Sequence, residues 1–193
     1  MDTDSHLEEP SFDPDAAISE LASGVLTGMK RKEFQNLARE LAAGIEVEDL
    51  DYLQSRFHSP PPEPPEYDHR KHGLGGWLSS CQFAIFELIY QLKSEAIPFL
   101  RAIAWGPYDW TQGNAIELMI RMAAEGIETE EIIGEIAANY PDIRYEAQLY
   151  ALEPLMPMAR EDRALNTLLD RMRTEIPALD QIAGEVESRL PAT

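Results

Sequence analysis

The apolar positions at the start of the chain form a helical stripe. Ile18, Leu21, Ala22 and Val25 recur at three- and four-residue steps behind Asp13-Pro14-Asp15, an N-cap with proline at the first helical position. The same period predicts a second helix from about Lys30 to Ala43, with Phe34, Leu37, Ala38 and Leu41 inward and Gly44 as its stop. A third helix is expected from near Glu46, carrying Val47, Leu50, Leu53 and Phe57. Residues 58–65 read HSPPPEPP, where prolines remove backbone donors and forbid helix, so residues 58–66 are expected to form an extended connector. A bare run of this kind is a linker or surface loop before it is a docking motif.

Beyond the connector the pattern repeats with a period of 33 residues: Trp77, Trp110 and Ile143; Phe83, Ile116 and Leu149; Phe86, Met119 and Leu152; Ile89, Met122 and Leu155. Leu100 with Ile133, Ile103 with Ile136, Ala104 with Ala137 and Asp109 with Asp142 hold the same register, so each unit contains a second helix and a turn. The repeating unit is a helical hairpin. Trp77 to Leu92, Gly113 to Ala124 and Arg144 to Pro154 are expected as equivalent helices side by side, with Phe86, Met119 and Leu152 buried. Its register assigns Trp110 to the core.

The stretch AIPFLRAIAWGPYDWTQGNAIELMIRMAAEGI, from Ala96 to Ile127, resembles a HEAT repeat: Pro98 lies early in a first helix, Asp109 closes the turn, and Ala115, Leu118 and Ala123 fall on a second. The next unit, from about Glu130 to Met158, is similar to it, with Asp142 in the turn but no early proline. The resemblance spans about residues 76–158 and implies a scaffold that presents a surface, usually to another protein. The expected fold is all-α: a short α-solenoid of antiparallel helical hairpins, HEAT- or armadillo-like, closed by a polar pair over residues 163–190 and by residues 14–57 at the other end. Residues 1–12 are expected to be an acidic flexible tail and residues 13–193 one helical-repeat domain.

Charge changes the picture of partners. The net charge is −19 and the sequence pI about 4.4, so the surface repels nucleic acid and anionic lipid and attracts a basic protein. No apolar run reaches the ~18 residues of a membrane span. MDTDSHLEEP is acidic where a secretory signal needs basic residues before an apolar block, and a single cysteine, Cys81, cannot form an internal disulfide. A bacterial cytoplasm is the expected location.

Candidate chemistry is sparse. His69 and His72 follow Asp68 but do not complete a zinc shell without help from His6 or His58, which no motif supplies. Ser79, Ser80 and Cys81 have no nucleophile context, and Gly73-Leu74-Gly75-Gly76 lacks the ending of a phosphate loop. No catalytic residue, cofactor or metal is expected. Trp105 and Tyr108 break the apolar register in the turn of the central repeat and are the candidate partner-binding aromatics, with Asp109 beside them. Glu87, Glu117 and Glu125 on the second helices, and Glu128, Glu130 and Glu131 at the next turn, are the acids available to a basic partner. The resulting expectation is a non-catalytic protein-binding scaffold, most concretely an acidic immunity protein neutralising a basic, nuclease-type toxin. The alternative is a helical protein that binds a small molecule, or acts on it, in a pocket between repeats.

Overall fold

The computed structural model describes residues 12–190 and is all-helical: among these residues there are α-helices and short 3-10 turns but no strand. The tail expected over residues 1–12 lies, apart from Phe12, outside the described residues. The chain divides into two compact units, one ending at Leu92 and the other beginning at Lys93.

In the first unit α1 spans Pro14–Thr27. The Asp13 side chain accepts from the Ala16 amide at 3.1 Å, and Gly28, at φ 73°, ends the helix in the left-handed conformation that glycine takes without penalty. Helix α2 spans Arg31–Leu41, but only Ala38 on it is fully buried; Phe34, Leu37 and Leu41 are half-covered. A 3-10 turn over Val47–Asp49, with a Glu46/Asp49 capping box, leads into α3, Leu50–Ser55. That turn takes Val47 off the helical stripe and leaves it exposed, against expectation, while Leu50, Leu53 and Phe57 are buried.

The proline-rich segment lies inside this unit, where the Trp77 indole Nε1 donates to the Pro61 carbonyl at 2.7 Å. A single turn, α4, follows over His69–His72, capped by Asp68, and then α5 over Gly76–Tyr90. Helix α5 is the unit's axis. It packs along α1 and touches α2, and it buries Trp77, Cys81, Ala84, Ile85, Phe86, Leu88 and Ile89. Phe57 stacks on Phe86 with ring centroids 5.0 Å apart. Phe83, expected inward, is instead exposed.

The second unit opens with a 3-10 turn over Lys93–Ala96 and continues through α6 (Ile97–Ala104), α7 (Gln112–Ala124), α8 (Thr129–Asn139), α9 (Tyr145–Leu152), α10 (Leu155–Ala159), α11 (Arg163–Glu175) and α12 (Pro177–Arg189). Helix α7 is central, packing against α6, α8, α9 and α11. The starts of α7 and α9 keep the 33-residue spacing read from the sequence, and Met119, Met122, Leu152 and Leu155 are fully buried. Two inter-helix turns are locked alike. Gln112 Nε2 donates to the Ala104 carbonyl at 2.8 Å, and Gln148 Nε2 donates to the Tyr140 carbonyl at 2.7 Å while the Tyr140 hydroxyl donates back to the Gln148 carbonyl at 2.9 Å. Each buried glutamine satisfies a carbonyl that the end of a helix leaves open.

Candidate protein-binding surface

The turn between α6 and α7 is fixed by its backbone. At Gly106 a Cβ would meet the Ala102 carbonyl oxygen at 2.4 Å, so the chain leaves α6 more tightly than a side chain allows. Asp109 Oδ1 then accepts from the Thr111 amide and hydroxyl at 2.9 and 3.0 Å. Trp110 therefore sits ahead of α7 rather than on it, and this overturns its expected place in the core. Trp77, at the same register but inside α5, is 3% exposed, whereas Trp110 is 58% exposed.

The ring of Trp110 does not stand alone. It lies 6.0 Å from Tyr150 on α9 and 6.4 Å from Tyr108, centroid to centroid, and Arg144 sets its guanidinium carbon 4.3 Å from the centre of the Tyr108 ring. The row Tyr108–Trp110–Tyr150 exists because α7 and α9 cross closely. A Cβ on Gly113 would meet Tyr150 Cβ at 2.6 Å and the Ala147 carbonyl oxygen at 2.7 Å. Burial first, and then the carboxylate of exposed Glu146, raises the Tyr108 hydroxyl above its ordinary value, with Arg144 opposing. The result is an aromatic row that is half-buried at Tyr108 and exposed at Trp110 and Tyr150, with the cation of Arg144 on Tyr108 and exposed Glu146 one turn before Tyr150 on α9.

The other residues singled out from the sequence are placed differently. Trp105 is half-buried and donates its Nε1 to Glu135 Oε2 at 3.2 Å. Arg101 reaches the same carboxylate from Nε, at 2.8 and 2.9 Å, and Glu128 from Nη2 at 2.7 Å, so Trp105 and Glu128 belong to a clasp between α6 and α8. Glu130 is held by both terminal nitrogens of Arg171 at 2.6 and 2.7 Å, a bidentate pair from α8 to α11. Glu125 pairs with Lys93 at 2.7 Å, and Glu131 is exposed. Glu117 is corrected outright. It is 6% exposed on α7, with Arg121 Nη1 at 3.3 Å from its Oε1, and is not available to a partner; Glu87, also expected to face one, is buried too.

Of the expected set, Tyr108 and Asp109 thus lie with Trp110, while Trp105, Glu117, Glu128 and Glu130 serve packing within the chain. Sequence reasoning missed Tyr150, Arg144 and Glu146. The available signal was Tyr150 itself, an aromatic off the apolar stripe at the register position of Glu117. Elsewhere, His69 Nε2 lies 3.1 Å from Glu63 and its ring stands edge-on to Tyr67, and among the described residues no group of three metal-ligating side chains converges. A groove among α10, α11 and α12, lined by Met156, Asn166, Leu169 and Arg173, encloses about 90 Å³, well short of the ~300 Å³ at which small-molecule sites begin. No described helix is long and apolar enough to cross a membrane.

No protein-family model, no curated protein and no solved structure matches this chain.

Proposed function

We propose that this chain is a non-catalytic binding protein whose second unit offers the Tyr108–Trp110–Tyr150 face to a basic protein partner. In its most concrete form it is an acidic immunity protein covering a basic, nuclease-type toxin. The hairpins α6–α7 and α8–α9 are, in this proposal, units of a short HEAT-like solenoid that holds the face rigid. The observation that carries the reading is the exposure of Trp110. A folded chain gains nothing by leaving a tryptophan 58% exposed, whereas aromatic side chains presented on rigid elements are the residues that anchor interfaces. The net charge of −19 adds the sign of the partner, since opposed charge speeds encounter and rejects acidic competitors.

The test is affinity capture from the native host with the wild-type chain and with Trp110→Ala, each checked for helical content. A basic protein retained at low salt by the wild type, released at high salt and lost with Trp110→Ala, is the expected result. Retention unchanged by Trp110→Ala, or capture of acidic proteins alone, would sink the reading.

A further inference from the structure

The aromatic row already carries one cation. Arg144 sets its guanidinium carbon 4.3 Å from the centre of the Tyr108 ring, while the adjoining rings of Trp110 and Tyr150 remain exposed to solvent. Tryptophan is the strongest cation–π acceptor among side chains, and a planar, weakly hydrated guanidinium stacks on it better than an ammonium does. Glu146 and Tyr150 are both exposed and lie four residues apart on α9, one above the other on one helix face, so a carboxylate edges the same row.

We propose that the Trp110–Tyr150 face binds an arginine side chain of the partner, extending the contact that Arg144 makes on Tyr108. Arg144 is the intramolecular pattern for that contact: one guanidinium on one ring of the row, with the next ring left for a second. Glu146 completes the site by offering an acceptor to the incoming guanidinium, and the net charge of −19 draws a basic segment toward it. This inference rests on the binding reading above and narrows it from a basic protein to one whose contact residue is arginine.

The experiment uses the full chain and fluorescein-labelled Gly-Ser-Arg repeat peptide, with lysine and citrulline versions of the same peptide, read by anisotropy at low salt. The arginine peptide is expected to bind several-fold more tightly than the lysine peptide of equal charge, and the uncharged citrulline peptide not to bind. Trp110→Ala, which leaves net charge unchanged, should weaken the arginine peptide about tenfold. Trp110→Phe should restore part of the affinity, and Tyr150→Ala provides a second variant if Trp110→Ala loses helix. Arginine and lysine peptides of equal affinity, or an arginine peptide indifferent to both variants, would overturn the proposal. So would sedimentation showing a wild-type dimer that Trp110→Ala turns into a monomer, because a second copy would then own the face. A host partner lost on Trp110→Ala, together with no preference for arginine, would leave the binding role standing and remove the arginine assignment alone.

Discussion

The two units solve the problem of holding helices together by different means. In the first, α5 is a 15-residue helix with little polar surface, and α1 lies along it with Ala17, Ile18, Leu21 and Ala22 fully buried. Arg56, at the end of α3, adds an ion pair to Asp15 of α1 at 2.6 Å. In the second, α6 and α9 are 8 residues each, too short to persist without tertiary support. There the rims of the helix contacts carry arginines: Arg101 clasps α8, Arg171 joins α11 to α8, Arg173 joins α11 to Asp180 and Glu187 of α12, and Arg189 reaches Glu153. Lys93 is the only lysine of this unit. The choice fits the chemistry, since a guanidinium fork holds two carboxylates in fixed directions where an ammonium holds a point charge. The difference teaches that one acidic composition can serve two ends. Part of the negative charge is tied down inside the second unit's framework, and only the remainder is left for the proposed partner.

If the first unit is held by apolar burial, its largest weakness is the Phe57–Phe86 stack. Phe86→Ala should cost about 3 to 5 kcal/mol, the range for removing a buried ring, as read by urea denaturation. A loss below ~1 kcal/mol would remove the distinction drawn for this unit.

The second unit's counterpart is the close crossing at Gly113. Gly113→Ala places a Cβ 2.6 Å from Tyr150 Cβ and 2.7 Å from a backbone oxygen that cannot swing aside, so overpacking of about 1 to 3 kcal/mol is expected. Because Tyr150 is the atom struck, the exposed aromatic row should shift with it, visible as a change in near-ultraviolet circular dichroism. Unchanged stability and spectrum would mean that α7 and α9 do not cross closely.

Much of this framework was legible in the residues. Asp13 and Pro14 announced α1, the 33-residue register located α7 and α9, and Phe86, Met119 and Leu152 are buried where the stripe put them. What failed did so for local reasons. Register alone treats Trp77 and Trp110 as equivalent, but the Asp109 turn starts α7 at Gln112, and a tryptophan ahead of a helix is not bound by that helix's face. Glu117, expected to face a basic partner, is buried instead, because Arg121 one turn on supplies a buried companion that the apolar stripe does not reveal. The arginine clasps were invisible for a different reason: Arg101 with Glu135 and Arg171 with Glu130 are separated by 34 and 41 residues, and no pattern along the chain states which helix rims will meet.

A smaller effect is expected at the turn before α9. The Tyr140 hydroxyl is buried, and burial raises it above its ordinary value. Tyr140→Phe removes its hydrogen bond to the Gln148 carbonyl at a cost of roughly 0.5 to 1.5 kcal/mol, the net worth of one such bond, measured as a shift in thermal midpoint. No shift would show that the Gln148 amide alone locks the turn.

The two units should also part company with pH. Arg171 lowers the Glu130 carboxyl below its ordinary 4.5, and the Tyr145 hydroxyl, with Arg189, lowers that of Glu185. Groups lowered on folding give stability above the unfolded value and lose it as pH falls below about 4.5 through their folded values. Burial pushes the Cys81 thiol of α5 up to about 12 from 9.0, so its contribution is full below 9.0 and is lost as pH rises toward about 12. Hydrogen exchange followed by mass spectrometry should show residues 93–190 loosening first in acid. Earlier loosening of residues 12–92 there would contradict the assignment of ion pairs to the second unit.

The weakest expected effect tests the clasps most directly. Arg101→Met keeps most of the apolar stem of Arg101 and deletes its charge, so Glu128, at the N-cap of α8, and Glu135, on α8, lose the Arg101 cation. The Arg101 side chain is 29% exposed, so water competes for its charge and the loss should be only about 0.2 to 1 kcal/mol. Its signature is in its dependence on salt. At 1 M ionic strength the screening length falls to ~3 Å, the wild type loses the same attraction, and the gap between the two proteins should close. A deficit that persists undiminished at high salt would mean that Arg101 acts through packing against Trp105 and not through its charge, and the rim of the second unit would then be held as the first unit is.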